Sequence, residues 1–253
     1  MEDAQLYVSA NALQRRDALV VLTEFLPQMA WQEEGENILD IGCGSGDVTR
    51  NLLMPLLPRV EQVTGVDISQ EMVNFASKTF QHNTLAFRQL DIEKTVQPRQ
   101  TFPDGFSKVF SFYCLHWVKD QPRCLNNIYQ LLQPGGEALL VFLAHNPLFS
   151  MYQNMSEKIE WNKYMQVFNT ITLHTIFTTL TTTTTATNPF SSSPIPSDAI
   201  KAVNPFLKRI PTESQDAFLM DCLNELAKLK TQQEDGKTVA RYNLMIAHLL
   251  RPE

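Results

Sequence analysis

The sequence predicts a doubly wound α/β fold, a mostly parallel sheet with helices on both faces, and three observations carry that prediction. A short apolar run stops at a carboxylate and enters three closely spaced glycines, Asn37-Ile38-Leu39-Asp40-Ile41-Gly42-Cys43-Gly44-Ser45-Gly46. Two later apolar runs close on acids as well, at Asp67 and at Asp91. Between these runs the apolar residues step at helical spacing, so strand-like and helix-like segments alternate as they do in parallel sheets. Ligands of such sheets bind beyond the carboxyl ends of the strands, which puts Asp40, Asp67 and Asp91 at one end of the domain.

In order along the chain, residues 6 to 29 read as helical from Ser9, a plausible N-cap, with Leu13, Val20, Val21, Phe25 and Leu26 as the apolar face and Pro27 as the stop. Gln14 lies at the edge of that face, where a polar side chain points either into a pocket or into water. Ile38, Leu39 and Ile41 suit a buried strand, and Asp47, Val48, Leu52 and Leu56 a helix after the glycines. Gln62 to Asp67 is the second strand, and Ser69 caps a helix bearing Met72, Phe75, Ala76 and Phe80. Leu85 to Asp91 is the third. Lys108 to Leu115 is the fourth, running into His116-Trp117, and Pro122 opens the next helix with Cys124, Leu125, Ile128, Leu131 and Leu132. Pro134-Gly135-Gly136 turns into a fifth strand, Ala138 to Ala144, and a helix then runs from Pro147 to about Met165 with Met151, Tyr152, Met155 and Ile159 on its apolar side.

Beyond Met165 the alternation breaks. The tract from Thr170 to Thr187 and the stretch Ser191 to Pro196 are of low complexity and lack an alternating apolar face, so Thr178 to Ser197 reads as mostly disordered. Order returns at Ala202-Val203-Asn204-Pro205-Phe206 and continues in a helix from about Phe218 to Leu229, a polar loop from Gln232 to Lys237, and a last apolar run, Tyr242 to Leu250. The organisation expected is a ligand-binding core over residues 1 to 165, an atypical segment over 166 to 200, and residues 201 to 253 completing the same domain.

Composition narrows the function classes. The chain has 253 residues, 43% of them hydrophobic, enough for one full core. Its net charge of −6 and the lack of any basic stripe argue against nucleic acid. The longest apolar runs are too short and interrupted to span a bilayer, and no basic start leads into an apolar stretch, so the expected location is cytoplasmic. Cys43, Cys114, Cys124 and Cys222 are scattered with no metal-site spacing, so they read as reduced thiols and no metal is expected.

Glycine spacing selects among ligands. A dinucleotide fingerprint would place its third glycine at position 47, where Asp47 stands. The spacing Asp40-x-Gly42-x-Gly44-x-Gly46 resembles motif I of the class I S-adenosylmethionine-dependent methyltransferases. The acid roughly 20 residues further on, Asp67, is the type that accepts ribose hydroxyls in nucleotide-binding folds. Methyltransferases acting on amino groups commonly carry an Asn/Asp-Pro-Pro-Tyr/Phe run after the fourth strand; here the run is Tyr113-Cys114-Leu115-His116-Trp117, which disfavours that acceptor class.

More specific segments are Leu6-Tyr7-x-x-x-Asn11-x-x-Gln14-x-x-Asp17, Gly65-Val66-Asp67-Ile68-Ser69, Phe112-Tyr113-Cys114-Leu115-His116-Trp117 and Ala202-Val203-Asn204-Pro205-Phe206-Leu207. Through them the chain resembles the insect juvenile hormone acid O-methyltransferases over residues 1 to 165 and again from about 201 to the end. The resemblance implies methyl transfer from S-adenosylmethionine to the carboxylate of a sesquiterpenoid acid, farnesoic acid or juvenile hormone acid. By family pattern Asp67 with Ile68 binds the ribose side, Asp91 and the Ile92 backbone hold adenine, and Asp40, Gly42, Gly44, Gly46 and Cys114 line the methionine part. Gln14 and Trp117 orient the acceptor carboxylate. His116 is either a third donor or a histidine packed behind the site, and Phe112, Leu148, Phe149, Met151, Tyr152, Met155 and Phe206 either line an apolar tunnel or form plain core. A rival of a different class is a silent relative that keeps the site as a binding module, favoured by the segment from 166 to 200 in which the sixth-strand region departs from its relatives. That departure predicts a fifth strand with an unpaired edge or a poorly matched neighbour, a last strand, Tyr242 to Leu250, that loses a place to pair, and a marginal fold.

Overall fold

The structure, a computed structural model, describes residues 4–165, 183–186, 200–202, 204–229, 232–234, 237–239 and 242–253. Seven strands form its main sheet: β1 Glu36–Ile41, β2 Val60–Asp67, β3 Leu85–Gln89, β4 Phe106–Phe112, β5 Leu132–His145, β6 Thr183–Ala186 and β9 Asn243–Leu250. Their order across the sheet is β3-β2-β1-β4-β5-β9-β6. β1 to β5 pair in parallel, and β9 runs antiparallel between β5 and β6. The strand order reverses between β1 and β4, and that switch point is where a sheet of this kind opens a crevice at its carboxyl end.

Alternation along the strands builds two cores. Leu139, Val141 and Leu143 of β5 and Leu244 and Ile246 of β9 face one core with Ile38 and Phe110. Ala138, Leu140 and Phe142 of β5 and Met245 and Ala247 of β9 face the other with Leu39, Ile41 and Val109. Because helices cover both faces, both parities of residue are apolar, which is why these strands read as continuous apolar runs. The first core is closed by helix α2, Ala12–Phe25, through Ala18, Val21, Leu22 and Phe25, and the second by helix α6, Gln121–Leu131, through Cys124, Ile128 and Leu131. A third cluster caps the carboxyl end of the sheet, where Met151, Tyr152 and Met155 of α7, Pro147–Glu157, pack on Phe206, Leu207, Ile210 and on Phe218 and Cys222 of α9, Gln215–Lys228.

Several expectations need correcting. The N-terminal helical run is two helices, α1 Ala4–Ala10 and α2: Ser9 lies inside α1 with its hydroxyl on the Leu6 carbonyl, and Asn11 stands at the break. The segment after the glycines opens as a wide π turn, Thr49–Leu53, and tightens into α3, Met54–Leu56. Strand β4 stops at Phe112, and Leu115–Trp117 form a 3-10 turn. The helix from Pro147 ends at Glu157, Ile159 is 85% exposed, and a separate short helix, α8, covers Asn162–Met165. Gln232–Glu234 and Lys237–Val239 are not a plain loop but pair as strands β7 and β8.

The largest correction concerns the threonine tract. Thr183–Ala186 pairs antiparallel with Leu244–Ala247 of β9, so β9 is matched on both sides and the expected unpaired last strand is not found. The β-branched threonine backbone is suited to this edge position even without an apolar face. The rest of the segment read as disordered lies outside the described residues.

At the amino end of the strands the sheet is locked by buried charge. Lys108 of β4 pairs with Glu36 of β1 at 3.5 Å and Glu137 of β5 at 3.3 Å, with Lys108 side-chain exposure of only 3%. Glu137 also meets His248 of β9 at 2.9 Å and accepts the Ala30 N–H at 2.9 Å, while Glu36 accepts the Gln32 N–H at 2.7 Å. Replacing Lys108 by Met would strand two buried carboxylates. The expected cost is about 3–5 kcal/mol, checked as a fall in the urea unfolding midpoint.

Candidate functional site

The glycine turn is built by close approach. Gly42 and Cys43 N–H groups both donate to the Val66 carbonyl, at 2.7 and 3.0 Å, fastening the turn to β2. Gly42 has φ 74°, and a Cβ there would lie 2.3 Å from both Cβ and Sγ of Cys114, so the turn after β1 packs its bare backbone directly on the Cys114 side chain just beyond β4. Gly46, at φ 79°, would put a Cβ 2.7 Å from the Phe87 ring and 2.9 Å from Ala76. Gly44 is different: its Cβ position faces only the Tyr7 ring, at 3.7 Å.

Carboxylates surround this turn. Asp67 accepts the Gly44 N–H on one oxygen and the Ser69 N–H on the other, both at 2.9 Å. Burial raises its pKa, against those N–H bonds. Asp40 is buried and accepts the Thr49 hydroxyl at 2.5 Å; burial pushes its carboxyl up to about 7, with Thr49 opposing and Asp67 adding. Asp47, which the glycine pattern had only excluded from a dinucleotide fingerprint, accepts Asn11 at 3.0 Å, Arg15 at 2.5 Å and Asn51 at 2.7 Å. Burial alone would raise its pKa, but those bonds outweigh it and hold the group below the usual range.

The third acid has a more local task. Asp91 Oδ1 caps its own turn by accepting the Glu93 and Lys94 N–H groups at 3.0 Å, and Oδ2 lies 3.5 Å from the exposed Lys94 ammonium. Ile92 is buried, and its carbonyl accepts Asn127 Nδ2 at 2.7 Å, which fixes the loop after β3. Beside Asp67, Ile68 is 62% exposed, an apolar surface left open at the strand end.

On the other side of the crevice stand α2 and the turn after β4. Gln14 is half-buried, and its Oε1 is buried with no hydrogen-bond partner. His116 is buried in an aromatic group with Trp117, Phe149 and Tyr113, at ring-centre distances of 5.0, 5.8 and 6.3 Å. Its Nδ1 accepts the Leu143 N–H at 3.4 Å and burial pushes its pKa down to about 3, so the ring is neutral with its proton on Nε2. Trp117 packs edge-on against Phe149 and onto the third cluster. Met151, Tyr152, Met155 and Phe206, expected as tunnel or core, are buried in that cluster, while Phe112 belongs to the first core.

Four further residues belong to the site and were not singled out for it. Tyr7 lies over Gly44, its phenol kept protonated by burial and by the fields of Asp67, Cys114, Asp47 and Asp40. Asn11 ties the break between α1 and α2 to the glycine turn through Asp47. Ser45 carries a buried hydroxyl with no hydrogen-bond partner. Asn127, on α6, has no sequence signal at all. Among the described residues no group of three or more His, Cys, Asp or Glu is arranged to hold a metal ion, and no helix is long and apolar enough to cross a membrane.

Comparison with known proteins places this geometry in context. A methyltransferase domain family matches residues 39–140, from β1 into β5. Juvenile hormone acid O-methyltransferase of Drosophila melanogaster is 36% identical over 273 aligned residues, covering 98% of this chain and 92% of the fly protein. The silkworm (Bombyx mori) protein of the same name is 39% identical over 166 residues, 66% of this chain and 59% of its own length. Among solved structures, YcgJ of Bacillus subtilis superposes with a TM-score of 0.53 at 16% identity, covering 92% of this chain and 98% of that one. Phosphoethanolamine N-methyltransferase 2 of Haemonchus contortus, solved with phosphomonomethylethanolamine and S-adenosylhomocysteine, gives 0.51 at 19% identity, covering 92% of this chain and 53% of its own. At these identities the structures speak for the fold: the sheet is that of class I methyltransferases.

Gly42→Ala should be among the most damaging single-methyl additions in this chain. It places an L-residue at positive φ and drives a Cβ into Cys114, so a loss of about 1–3 kcal/mol is expected in thermal or urea unfolding. Adding Cys114→Ala should recover only part of it, because the Cys114 Cβ is itself one of the two clashing atoms.

Proposed function

Because the chain belongs to the juvenile hormone acid O-methyltransferase family, we propose that the crevice between β1 and β4 carries methyl transfer from S-adenosylmethionine to the carboxylate of juvenile hormone acid. Near full-length identity to the fly enzyme carries the reading. Farnesoic acid, the same carboxylate on an isoprenoid chain, is proposed as a second acceptor, and the cytoplasm as the compartment.

The residues present suit the donor. Exposed Ile68 beside Asp67 offers an apolar face that an adenine would cover. Ser45 Oγ, buried and unpartnered, and Gly44, open except for Tyr7, leave polar and steric room along the turn. Asp67 keeps lone pairs for the ribose hydroxyls beyond the two N–H bonds it accepts. Asp91 and the Ile92 backbone are proposed for the adenine, and Asp40, Gly42, Gly46 and Cys114 for the methionine half. S-adenosylmethionine, when bound, supplies a methyl group already activated on a cationic sulfonium.

The acceptor side then needs alignment more than proton chemistry. A carboxylate is ionised at neutral pH and is itself the nucleophile, so no general base is required. His116, pushed down to about 3, is too weak a base to take that role and serves instead as a neutral packing partner able to donate from Nε2. Gln14 is proposed to donate its amide N–H groups to the carboxylate; its buried Oε1 has no hydrogen-bond partner, and turning the amide over would bring the nitrogen to that position. Trp117 is proposed as the second donor. The rival reading of a silent binding module rested on the departure of residues 166 to 200; within that segment Thr183–Ala186 pairs with β9, which supplies a strand beside it and supports the enzyme reading.

Gln14→Ala and Trp117→Phe should each cost roughly 1–3 kcal/mol of transition-state stabilisation while leaving the donor dissociation constant nearly unchanged. Calorimetry and steady-state kinetics on an isoprenoid acid separate the two; a variant that binds donor much more weakly belongs to the cofactor side instead.

The pH dependence follows from Asp40. Its pKa is raised from an ordinary 3.8 to about 7, so the ligand-free protein gains stability from it below about 4 and loses that contribution as pH rises through about 7. A cationic donor favours the ionised form, so donor affinity should increase with pH through the same window, and binding near pH 6 should release a proton. Titration calorimetry in buffers of different protonation enthalpy measures that proton, and Asp40→Asn should abolish it.

A further inference from the structure

Asp17 is a fully buried charged residue outside the machinery described above. It sits one helical turn beyond Gln14 on α2 and is 0% exposed. One carboxylate oxygen accepts the hydroxyls of both Tyr113 and Tyr242; the other accepts Arg16 Nε at 3.1 Å and Nη2 at 3.0 Å. Arg16 Nη2 also reaches the Tyr242 hydroxyl, at 2.8 Å. Three separate segments therefore converge on one carboxylate: the helix bearing Gln14, the exit of β4 that leads to Trp117, and the start of β9.

Anchoring α2 does not require this. Ala18, Val21, Leu22 and Phe25 already dock the helix on the first core, and a buried carboxylate is costly unless its oxygens are well matched. What the network adds is a fixed position for Tyr113, which holds φ 55°, a conformation a bulky L-residue rarely adopts. Glycine would take that conformation freely, so the side chain must be there for its own contacts. The kink turns the chain out of β4 into Cys114 and the Leu115–Trp117 turn.

We infer that Asp17 is a positioning residue for the acceptor carboxylate: by gripping Tyr113 and Tyr242 it sets α2, and with it Gln14, against the turn that carries Trp117. The inference rests on the reading of Gln14 and Trp117 as the carboxylate donors. Asp67, Gly44 and the Gly42–Cys43 end of the turn are held by their own bonds to β2 and Ser69, independently of α2, so a displacement of α2 by a fraction of an ångström falls mainly on alignment of the acid and much less on donor binding.

Asp17→Asn keeps the size and removes the charge; Tyr113→Phe and Tyr242→Phe each remove one hydroxyl and serve if Asp17→Asn does not fold. Expected for the folded variants is a fall in kcat of roughly tenfold or more, with a smaller change in acceptor KM and the donor dissociation constant within about twofold. Asp17→Asn combined with Tyr113→Phe should be no worse than Asp17→Asn alone, because both act through one network. Unchanged acceptor kinetics with only a lower unfolding midpoint would show a plain structural brace and overturn the inference, as would an equal loss of donor affinity. The Gln14→Ala background separates this from the underlying reading. If Gln14→Ala alone leaves acceptor kinetics untouched, the donor assignment fails; if it reduces them and Asp17→Asn still adds its full effect on top, the coupling through Gln14 fails.

Discussion

The Asp67 carboxylate, bonded to the Gly44 and Ser69 N–H groups, is the interaction on which the site depends. It joins the glycine turn after β1 to the helix that follows β2, while the paired donation of Gly42 and Cys43 to Val66 fastens the same turn to β2 itself. With the turn held from that side, its other side can run against Cys114 at a distance no Cβ would permit. The ends of β1, β2 and β4 are thereby registered to each other by contacts within a few residues. A crevice at the switch point is then not a gap left by poor packing but the space beyond three strand ends held to one another by these contacts.

Helix α2 is the second fixed element, and it is tied at both ends of the sheet. Near the carboxyl end Asp17 holds Tyr113 and Tyr242, and Arg15 and Asn11 hold Asp47. Near the amino end the chain leaving α2 places Ala30 on Glu137, Gln32 on Glu36 and the Trp31 ring 5.4 Å from the Lys108 ammonium. The apolar face between these points supplies area but little register, since burial is non-directional. Directional bonds at the two ends fix where the helix stops sliding, and Gln14 lies among those at the carboxyl end, between Asn11 and Arg15.

What the sequence disclosed follows the range of the interactions involved. The strand ends at Asp40 and Asp67, the cap at Ser69 and the glycine spacing are local, so the sheet and the glycine turn were legible from short motifs. Asp17 appeared in a motif but without a role, because its partners Tyr113 and Tyr242 lie far along the chain and nothing in either segment names the other. The Lys108 cluster was hidden for the same reason: a lysine and two glutamates on separate strands look like solvent-facing residues until the strands are laid side by side. The Thr183–Ala186 strand failed differently. Its reading relied on an apolar alternation that an edge strand does not need, since the backbone ladder to β9 and β-branched propensity suffice to place it.

The two halves of the crevice also differ in charge, and that difference bears on the proposed reaction. The half proposed for the donor is ringed by Asp40, Asp47 and Asp67, which would match a cationic sulfonium and ammonium. The half proposed for the acceptor has Gln14, Trp117 and a neutral His116, and the two cations nearest Gln14 on α2 are engaged elsewhere, Arg15 by Asp47 and Arg16 by Asp17. A bidentate arginine would hold the acid more tightly but would also draw on the charge that makes it a nucleophile. Methyl transfer from a sulfonium to a carboxylate annihilates both charges, so its transition state is less polar than its reactants and gains from the removal of water. The aromatic group of Trp117, His116 and Phe149 would supply that dry surface. After such a transfer the thioether and the ester would both be neutral at the reacting atoms, so the hold of Asp40, Asp47 and Asp67 on the spent donor would weaken at the moment release is needed.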